Sequence, residues 1–209
     1  MELATMNYQT IIIEKKPLYY LVTLNRPQIK NSLDITILQE LHAALDEIEK
    51  DKEVHSIILQ GQIGVFCTGM DFTNLQPPKS RQPSDNTLYI KLLHRFVTFP
   101  RIIISCVEGA VIAGGMGLVA SSDLVVATSQ SQFSLSEAIW GLLPVCVTPY
   151  LIRRVGFQAA YRLGFTTETI DAKEAYRLQL IDLLSDEPLK KFTPMSCALA
   201  VLIYARLKD

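Results

Sequence analysis

The chain has 209 residues, 20 Lys and Arg against 21 Asp and Glu, and 49% apolar residues. That length suits one domain with its own hydrophobic core, and a net charge of −1 argues against a nucleic-acid binder, which carries a basic excess or stripe. A 20% charged fraction and a mean hydropathy of +0.22 argue against disorder, and the longest apolar run, residues 197–205, falls short of the roughly 18 residues a membrane-spanning helix needs.

In chain order, residues 8–14 and 18–24 are rich in Ile, Tyr, Val and Thr and are punctuated by Lys15-Lys16-Pro17, which predicts a hairpin. Arg26-Pro27 ends the second strand, and Asn31, Ser32 or Asp34 can cap a following helix. Leu38, Leu41, Leu45 and Ile48 recur at helical spacing and place that helix over 35–51. Residues 56–60 form a short β-branched strand, so the order strand, helix, strand implies a parallel crossover. Pro77, Pro78 and Pro83 mark an exposed loop, 85–99 a helix that stops before Pro100, and 101–107 a strand buried on both faces. Residues 123–127 form another buried strand, and from Ser134 onward short helical stretches dominate, separated by Gly141, Pro144, Pro149, Gly156 and Gly164. The fold class is α/β with a helical second half.

Cys67, Cys106, Cys146 and Cys197 lie far apart with no CxxC pair, which leaves no zinc or thioredoxin-like pattern. Met1 to Thr5 lack the basic start and apolar stretch of a signal peptide, so the expectation is a cytoplasmic protein with reduced thiols.

Chemistry concentrates in two glycine turns, Phe66-Cys67-Thr68-Gly69-Met70-Asp71 and Ala113-Gly114-Gly115-Met116-Gly117. Glycines let backbone N–H groups approach a ligand closely, and a helix start leaves its first N–H groups unpaired. Two such turns on neighbouring parallel strands can aim one N–H each at a single oxygen, as an oxyanion hole does. The competing reading is tight helix-to-sheet packing. Glu137, before an apolar stretch, is the carboxylate to single out, but Ser134-x-x-Glu137 is also a capping-box pattern. Asp71 reads equally as a helix N-cap, and Asp123 as a backbone hydrogen-bond partner. His42, His55 and His94 read as solvated, and Arg153-Arg154 as an exposed basic spot. Lys15, Lys16, Arg26 and Lys30 could join that spot to meet phosphates or an acidic partner.

Six segments in order resemble the crotonase (enoyl-CoA hydratase/isomerase) superfamily over about residues 8–184. They are Leu24-Asn25-Arg26-Pro27 with Asn31, the Phe66–Asp71 turn, and Val107-Glu108-Gly109-Ala110 running into Ala113-Gly114-Gly115. Then follow Ser121-Ser122-Asp123-Leu124, Phe133-Ser134-Leu135-Ser136-Glu137 and Gly141-Leu142-Leu143-Pro144. The resemblance implies a ββα spiral over 1–184 and a short C-terminal tail over 185–209, helical in part, assembled as a homotrimer or dimer of trimers. Such chains commonly continue further, so the C-terminal part is expected to be shortened here. The resemblance also implies that the backbone N–H groups of Met70 and Gly114 hold the carbonyl oxygen of an acyl thioester. The acyl group arrives on coenzyme A or phosphopantetheine, with no other cofactor, no metal, no nucleic acid and no membrane partner.

Hydratase members carry two glutamates. One falls on Gly117 and is absent here, and the other falls on Glu137. The stretch from Phe133 through Val147, with Pro149-Tyr150-Leu151-Ile152-Arg153-Arg154-Val155-Gly156, is similar to the dehydratases of polyketide β-branching cassettes. These convert 3-hydroxy-3-methylglutaryl-acyl carrier protein to 3-methylglutaconyl-acyl carrier protein. On that resemblance Glu137 is the base, Asp71 assists the leaving hydroxyl directly or through water, and Thr68, Gly115, Trp140 and Leu142 line the pocket. Leu135 and Ile139 extend the apolar wall, and Lys91, His94 and Arg95 are candidates for a distal carboxylate. An isomerase or hydratase acting on free acyl-CoA, and a catalytically silent interaction subunit of the same fold, are the alternatives.

Overall fold

The structure, a computed structural model, describes residues 8–71 and 84–191. The proline-rich loop and the apolar stretch of the tail lie outside the described residues.

β1 (Ile11–Lys15) and β2 (Tyr19–Leu24) pair antiparallel as the predicted hairpin. The chain then turns through Arg26 to Asn31. Asn31 sits in the left-handed region at φ 53°, fully buried, where its Oδ1 accepts from Arg26 N–H at 2.8 Å. Its Nδ2 donates to the Phe66 carbonyl at 3.1 Å, so one amide ties the first turn to the strand that carries the site. Asp34 caps α1 (Ile35–Lys50) by accepting from Ile37 N–H at 3.1 Å, and it pairs with Arg26 at 2.6 Å. Ile37, Leu38, Leu41, Leu45 and Ile48 form the buried stripe of α1, as their spacing predicts.

β3 (Ser56–Gln60) lies parallel to β2, β5 (Ile102–Val107) parallel to β3, and β7 (Leu124–Ala127) parallel to β5. With β10 (Leu183–Leu184) they make a six-stranded sheet in the order β1-β2-β3-β5-β7-β10. β5 is buried at every position: Ile103 and Val107 enter the main core, while Ile102, Ile104 and Cys106 pack on the other face. That alternation is the strand period of two acting on a sheet covered on both sides.

Four short strands, not legible as strands in the sequence, build a second sheet. β4 (Val65–Cys67), β6 (Ala110–Ile112) and β8 (Gln132–Ser134) run parallel, and β9 (Ile170–Asp171) closes it antiparallel to β8. α1 follows the two large-sheet strands of the hairpin, and from β3 onward each turn of the chain places one strand in the large sheet, the next in the small sheet, and then a helix, as α2 (Ser84–Thr98) and α3 (Gly114–Ser121) show. A four-residue 3-10 turn at Glu137–Trp140 precedes α4 (Thr148–Val155), α5 (Phe157–Thr166), α6 (Ala172–Arg177) and α7 (Pro188–Lys191). This is the ββα spiral with a helical C-terminal part. No helix among the described residues is long and apolar enough to cross a membrane.

Several polar expectations change in three dimensions. Arg154 is no solvated helix cation: it donates to the Leu180 carbonyl at 2.7 Å and the Ser122 carbonyl at 2.9 Å, and it pairs with Asp182. It clamps α4 to the start of β7, because a guanidinium fork can satisfy several buried carbonyls at once. His42 is half-buried, with Nε2 3.1 Å from the Leu88 carbonyl, whereas His55 and His94 are exposed as expected. Lys15 pairs with Asp51 and Lys16 with Glu14, so neither stands waiting for a phosphate. Asp123 does accept from a backbone amide, that of Ile103 at 2.9 Å.

Asn31→Ala would strip a buried carbonyl and a half-buried N–H of their partner. It would also place a Cβ residue without a polar side chain in the left-handed region. Denaturant unfolding should show a loss of about 2 kcal/mol, and an unchanged midpoint would contradict this account of the turn.

Candidate active site

The site forms where the small sheet meets α3. β4 and β6 are neighbours, with Val65 opposite Ala110 and Cys67 opposite Val111, so the turns that follow them leave the sheet side by side. The second glycine turn follows the short β6, which lies between β5 and α3.

After β4, Gly69 adopts φ +85°, and a Cβ there would stand 2.7 Å from the Gly114 amide nitrogen. Only glycine permits both that backbone conformation and that approach. Leu33 bridges Met70 in parallel fashion: Leu33 N–H donates to Gly69 O at 2.7 Å, and Leu33 O accepts from Asp71 N–H at 2.8 Å. In a parallel bridge the amide of the intervening residue points the other way, so Met70 N–H faces away from Leu33.

After β6, Ala113 takes φ 49° and ψ −118°, a conformation that a Cβ-bearing residue rarely adopts. It is held by its own N–H on the Ser134 carbonyl at 2.9 Å and by its carbonyl on Met116 N–H at 2.8 Å. Gly114 is then the first residue of α3, where an N–H has no intrahelical acceptor. A Cβ on Gly114 would sit 3.5 Å from the Met70 nitrogen. The structure therefore brings the two predicted amides together, with local strain at Ala113 setting the peptide that carries one of them.

The packing reading of the motif applies at Gly115. Gly115 is a packing position, since a Cβ there would come 2.4 Å from the Cys67 carbonyl oxygen, and α3 could not lie so close to β4. The Cys67 thiol beneath it accepts from Gly69 N–H at 3.5 Å, and burial pushes its pKa up to about 12, so it stays a thiol.

Glu137 opens the 3-10 turn three residues beyond β8. Ser134 lies in β8, and the residue before the turn, Ser136, makes no side-chain cap, so the capping-box alternative is not realised. Glu137 is half-buried, and its Oε2 is fully buried without a hydrogen-bond partner among the described residues. Burial raises its pKa above the ordinary carboxylate range, opposed by a bond from its own backbone N–H. Its charge in turn raises the Cys146 thiol, behind burial as the larger cause.

The remaining predicted residues are spread more widely. Asp71 is half-buried at the end of the Met70 turn, with its N–H on Leu33. Thr68 is half-buried, and its hydroxyl donates to the Lys30 carbonyl at 3.1 Å. Leu142 is half-buried with its N–H on the Glu137 carbonyl at 3.1 Å, and Leu135 is buried. Trp140 and Ile139 instead point outward, 74% and 66% exposed, because the 3-10 turn places them on its solvent side. Arg95 pairs with Asp46 and Glu49 and donates to the His42 carbonyl, while Lys91 is exposed. An apolar cavity of about 610 Å³ adjoins the turn, lined by Ala138, Leu143, Pro144, Ile152, Phe157 and Tyr161 among others. The sequence offered no direct sign of it, since its walls come from helices and loops far apart along the chain.

A strained turn, two neighbouring backbone amides and one desolvated carboxylate make up the candidate site. The enoyl-CoA hydratase/isomerase family model matches residues 16–191. The chain is 36% identical over 190 residues to the bacillaene synthase dehydratase PksH of Bacillus subtilis, covering 90% of this chain and 72% of that protein. It is 32% identical over 177 residues to the enoyl-CoA hydratase EchA19 of Mycobacterium tuberculosis, covering 81% and 66%. The crystal structure of Bacillus subtilis PksH superposes with a TM-score of 0.83 at 31% identity, covering 96% of this chain and 85% of that one. The chain therefore belongs to the enoyl-CoA hydratase/isomerase (crotonase) family, and it is a lyase of that family's dehydratase or hydratase type.

A raised Glu137 pKa has a stability consequence. The folded-state value exceeds the unfolded one, so the unfolded chain releases its proton first as pH rises, and stability falls through that interval. Glu137→Gln should therefore raise the Tm at pH 7.5, with the difference shrinking as the pH is lowered below the ordinary glutamate range. Equal melting temperatures at both pH values would show that Glu137 is not desolvated.

Proposed function

We propose that the protein dehydrates 3-hydroxy-3-methylglutaryl-acyl carrier protein to 3-methylglutaconyl-acyl carrier protein, through a thioester enolate. The observation that carries this reading is the close approach of the Met70 and Gly114 turns, on a chain whose Glu137 carboxyl is desolvated. The 36% identity to a dehydratase of bacillaene synthase supports the choice of a polyketide acyl chain and its carrier protein over a free coenzyme A ester.

The thioester oxygen sits between the Met70 and Gly114 N–H groups. Removal of the proton from the carbon beside the carbonyl by Glu137 moves the C–H electron pair into an enolate, whose charge collects on that oxygen. Preorganised N–H donors stabilise that charge without reorganising, and losing one costs about 100- to 1000-fold in rate. The electron pair then returns to form the carbon–carbon double bond, and the β-hydroxyl leaves as water. Its proton comes from the protonated Glu137, or from Asp71 directly or through a water molecule. No cofactor enters these steps, because the phosphopantetheine arm belongs to the substrate. The exposed side chains Phe157, Tyr161 and Phe165, with Leu143 and Val145, support a homotrimer or dimer of trimers, since contiguous exposed apolar surface normally marks an interface.

An enoyl-CoA hydratase is the second reading, favoured by the identity to EchA19. Glycine at 117 weighs against it, because no second carboxylate stands there to hold the added water.

Mass spectrometry of a 3-hydroxy-3-methylglutaryl-loaded carrier protein should show loss of one water on incubation with the protein. Crotonyl-CoA and a 3-enoyl-CoA should turn over far more slowly, and faster hydration of crotonyl-CoA would favour the second reading. Glu137→Gln should lose at least about 100-fold in turnover. The pH–rate profile of the native protein should have its acid limb above the ordinary glutamate range, where Glu137 ionises, and near-native rates in the variant would remove Glu137 from the mechanism.

A further inference from the structure

Gly117 occupies the position at which a second carboxylate is missing, yet the space above it is filled. A Cβ on Gly117 would come 2.0 Å from the Tyr89 hydroxyl oxygen, 3.1 Å from its Cζ and 3.0 Å from Leu93 Cδ1. Tyr89 lies on the buried stripe of α2 with Leu92, Leu93 and Phe96, and only 3% of it is exposed. A core stripe accepts a tyrosine when its hydroxyl finds a partner. Here that partner is the Gly114 carbonyl, 2.5 Å away.

This hydroxyl also neighbours the amide pair. The point where a Gly114 Cβ would lie is 3.4 Å from the Tyr89 oxygen and 3.5 Å from the Met70 nitrogen. Burial holds the Tyr89 pKa well above 10, and the charges that Cys67, Cys146 and Glu137 would carry push the same way. Tyr89 is therefore a permanent donor. Gly114 follows a strained Ala113, and a rotation that relaxed this strain would turn the neighbouring peptides and their amides. A donor fixed to the Gly114 carbonyl resists that rotation.

Resting on the oxyanion reading above, we propose that Tyr89 is a positioning residue for the Met70 and Gly114 amides. By filling the volume over Gly117 it also determines that this site works with one carboxylate. The hydroxyl and a side chain at 117 exclude each other, so a second carboxylate cannot be gained by changing residue 117 alone.

The test uses three variants, Tyr89→Phe, Gly117→Ala and the double variant, with two readouts. The first is kcat and KM for the 3-hydroxy-3-methylglutaryl carrier protein. The second is the infrared carbonyl stretch of a bound 13C-labelled butyryl-pantetheine thioester, which lacks a β-hydroxyl and cannot be dehydrated. Tyr89→Phe should lower kcat about 10- to 100-fold with KM unchanged, and it should reduce the downshift of the carbonyl stretch. Gly117→Ala should impair both readouts in the Tyr89 background and add less to Tyr89→Phe, where the 2.0 Å overlap with the hydroxyl is gone and only the tight contacts with the ring Cζ and Leu93 Cδ1 remain.

A native kcat and a full carbonyl shift in Tyr89→Phe would overturn the positioning role. Equal impairment by Gly117→Ala in both backgrounds would overturn the steric exclusion. A carbonyl that is unshifted in the native protein would overturn the oxyanion reading, and the role of Tyr89 with it. A shift present in the native protein and reduced in Tyr89→Phe, without any dehydration by either, would overturn only the assigned substrate and leave Tyr89 in its role.

Discussion

Two stretches of backbone pass each other at Gly69 and Gly114 so closely that a methyl group on either would touch the other's main chain. The rest of the site depends on that approach. It requires β4 and β6 to be adjacent in the small sheet, a positive φ at Gly69, and a strained Ala113 that turns the chain directly into α3. The surrounding packing serves the same end: Asn31 anchors β4 from one side, and the Ala113 amide is held by β8 from the other. Strain of this kind persists only where neighbours over-determine the backbone, and here they do.

The carboxylate is arranged by the opposite means. Glu137 gains little from its surroundings, with one buried oxygen lacking a partner among the described residues and a pKa raised by desolvation. A group that costs stability in its ionised form suits a base, because desolvation brings its proton affinity nearer to that of the acid it must deprotonate. The small sheet joins the two halves of the site, since β8 both fixes Ala113 and leads into Glu137. Acid and amide positions are thereby set by one short strand, without a hydrogen bond between them.

Gly115 and Gly117 show how one motif serves two purposes. The first lets α3 lie against β4, and the second makes room for a phenol from α2. Helix packing and site geometry cannot be separated here, because the side chains these glycines lack would move the helix whose first amide is the proposed oxyanion donor. The packing reading of the glycine turn therefore holds at Gly115, where a Cβ would meet the Cys67 carbonyl, while Gly114 is where the turn approaches Gly69.

Periodicity along the chain was enough to place the hairpin, α1, α2 and the buried strands of the large sheet. Their apolar spacing and caps are local signals, as at Leu38, Leu41, Leu45 and Asp34. Motif chemistry pointed to Met70 and Gly114, whose turns the fold brings together, and to Glu137, which it half-buries. The strands of the small sheet left no such trace, because two or three residues are too few to show an alternation. Arg154 read as a surface cation and Trp140 as a pocket wall, since burial depends on which element packs above a residue, and spacing along a chain does not contain that information. Tyr89 was hidden for the same reason: in sequence it is one more apolar position on an amphipathic helix, and only the crossing of α2 over α3 sets its hydroxyl on the Gly114 carbonyl. Local order follows from neighbours in sequence, whereas the site is made by contacts between residues tens of positions apart.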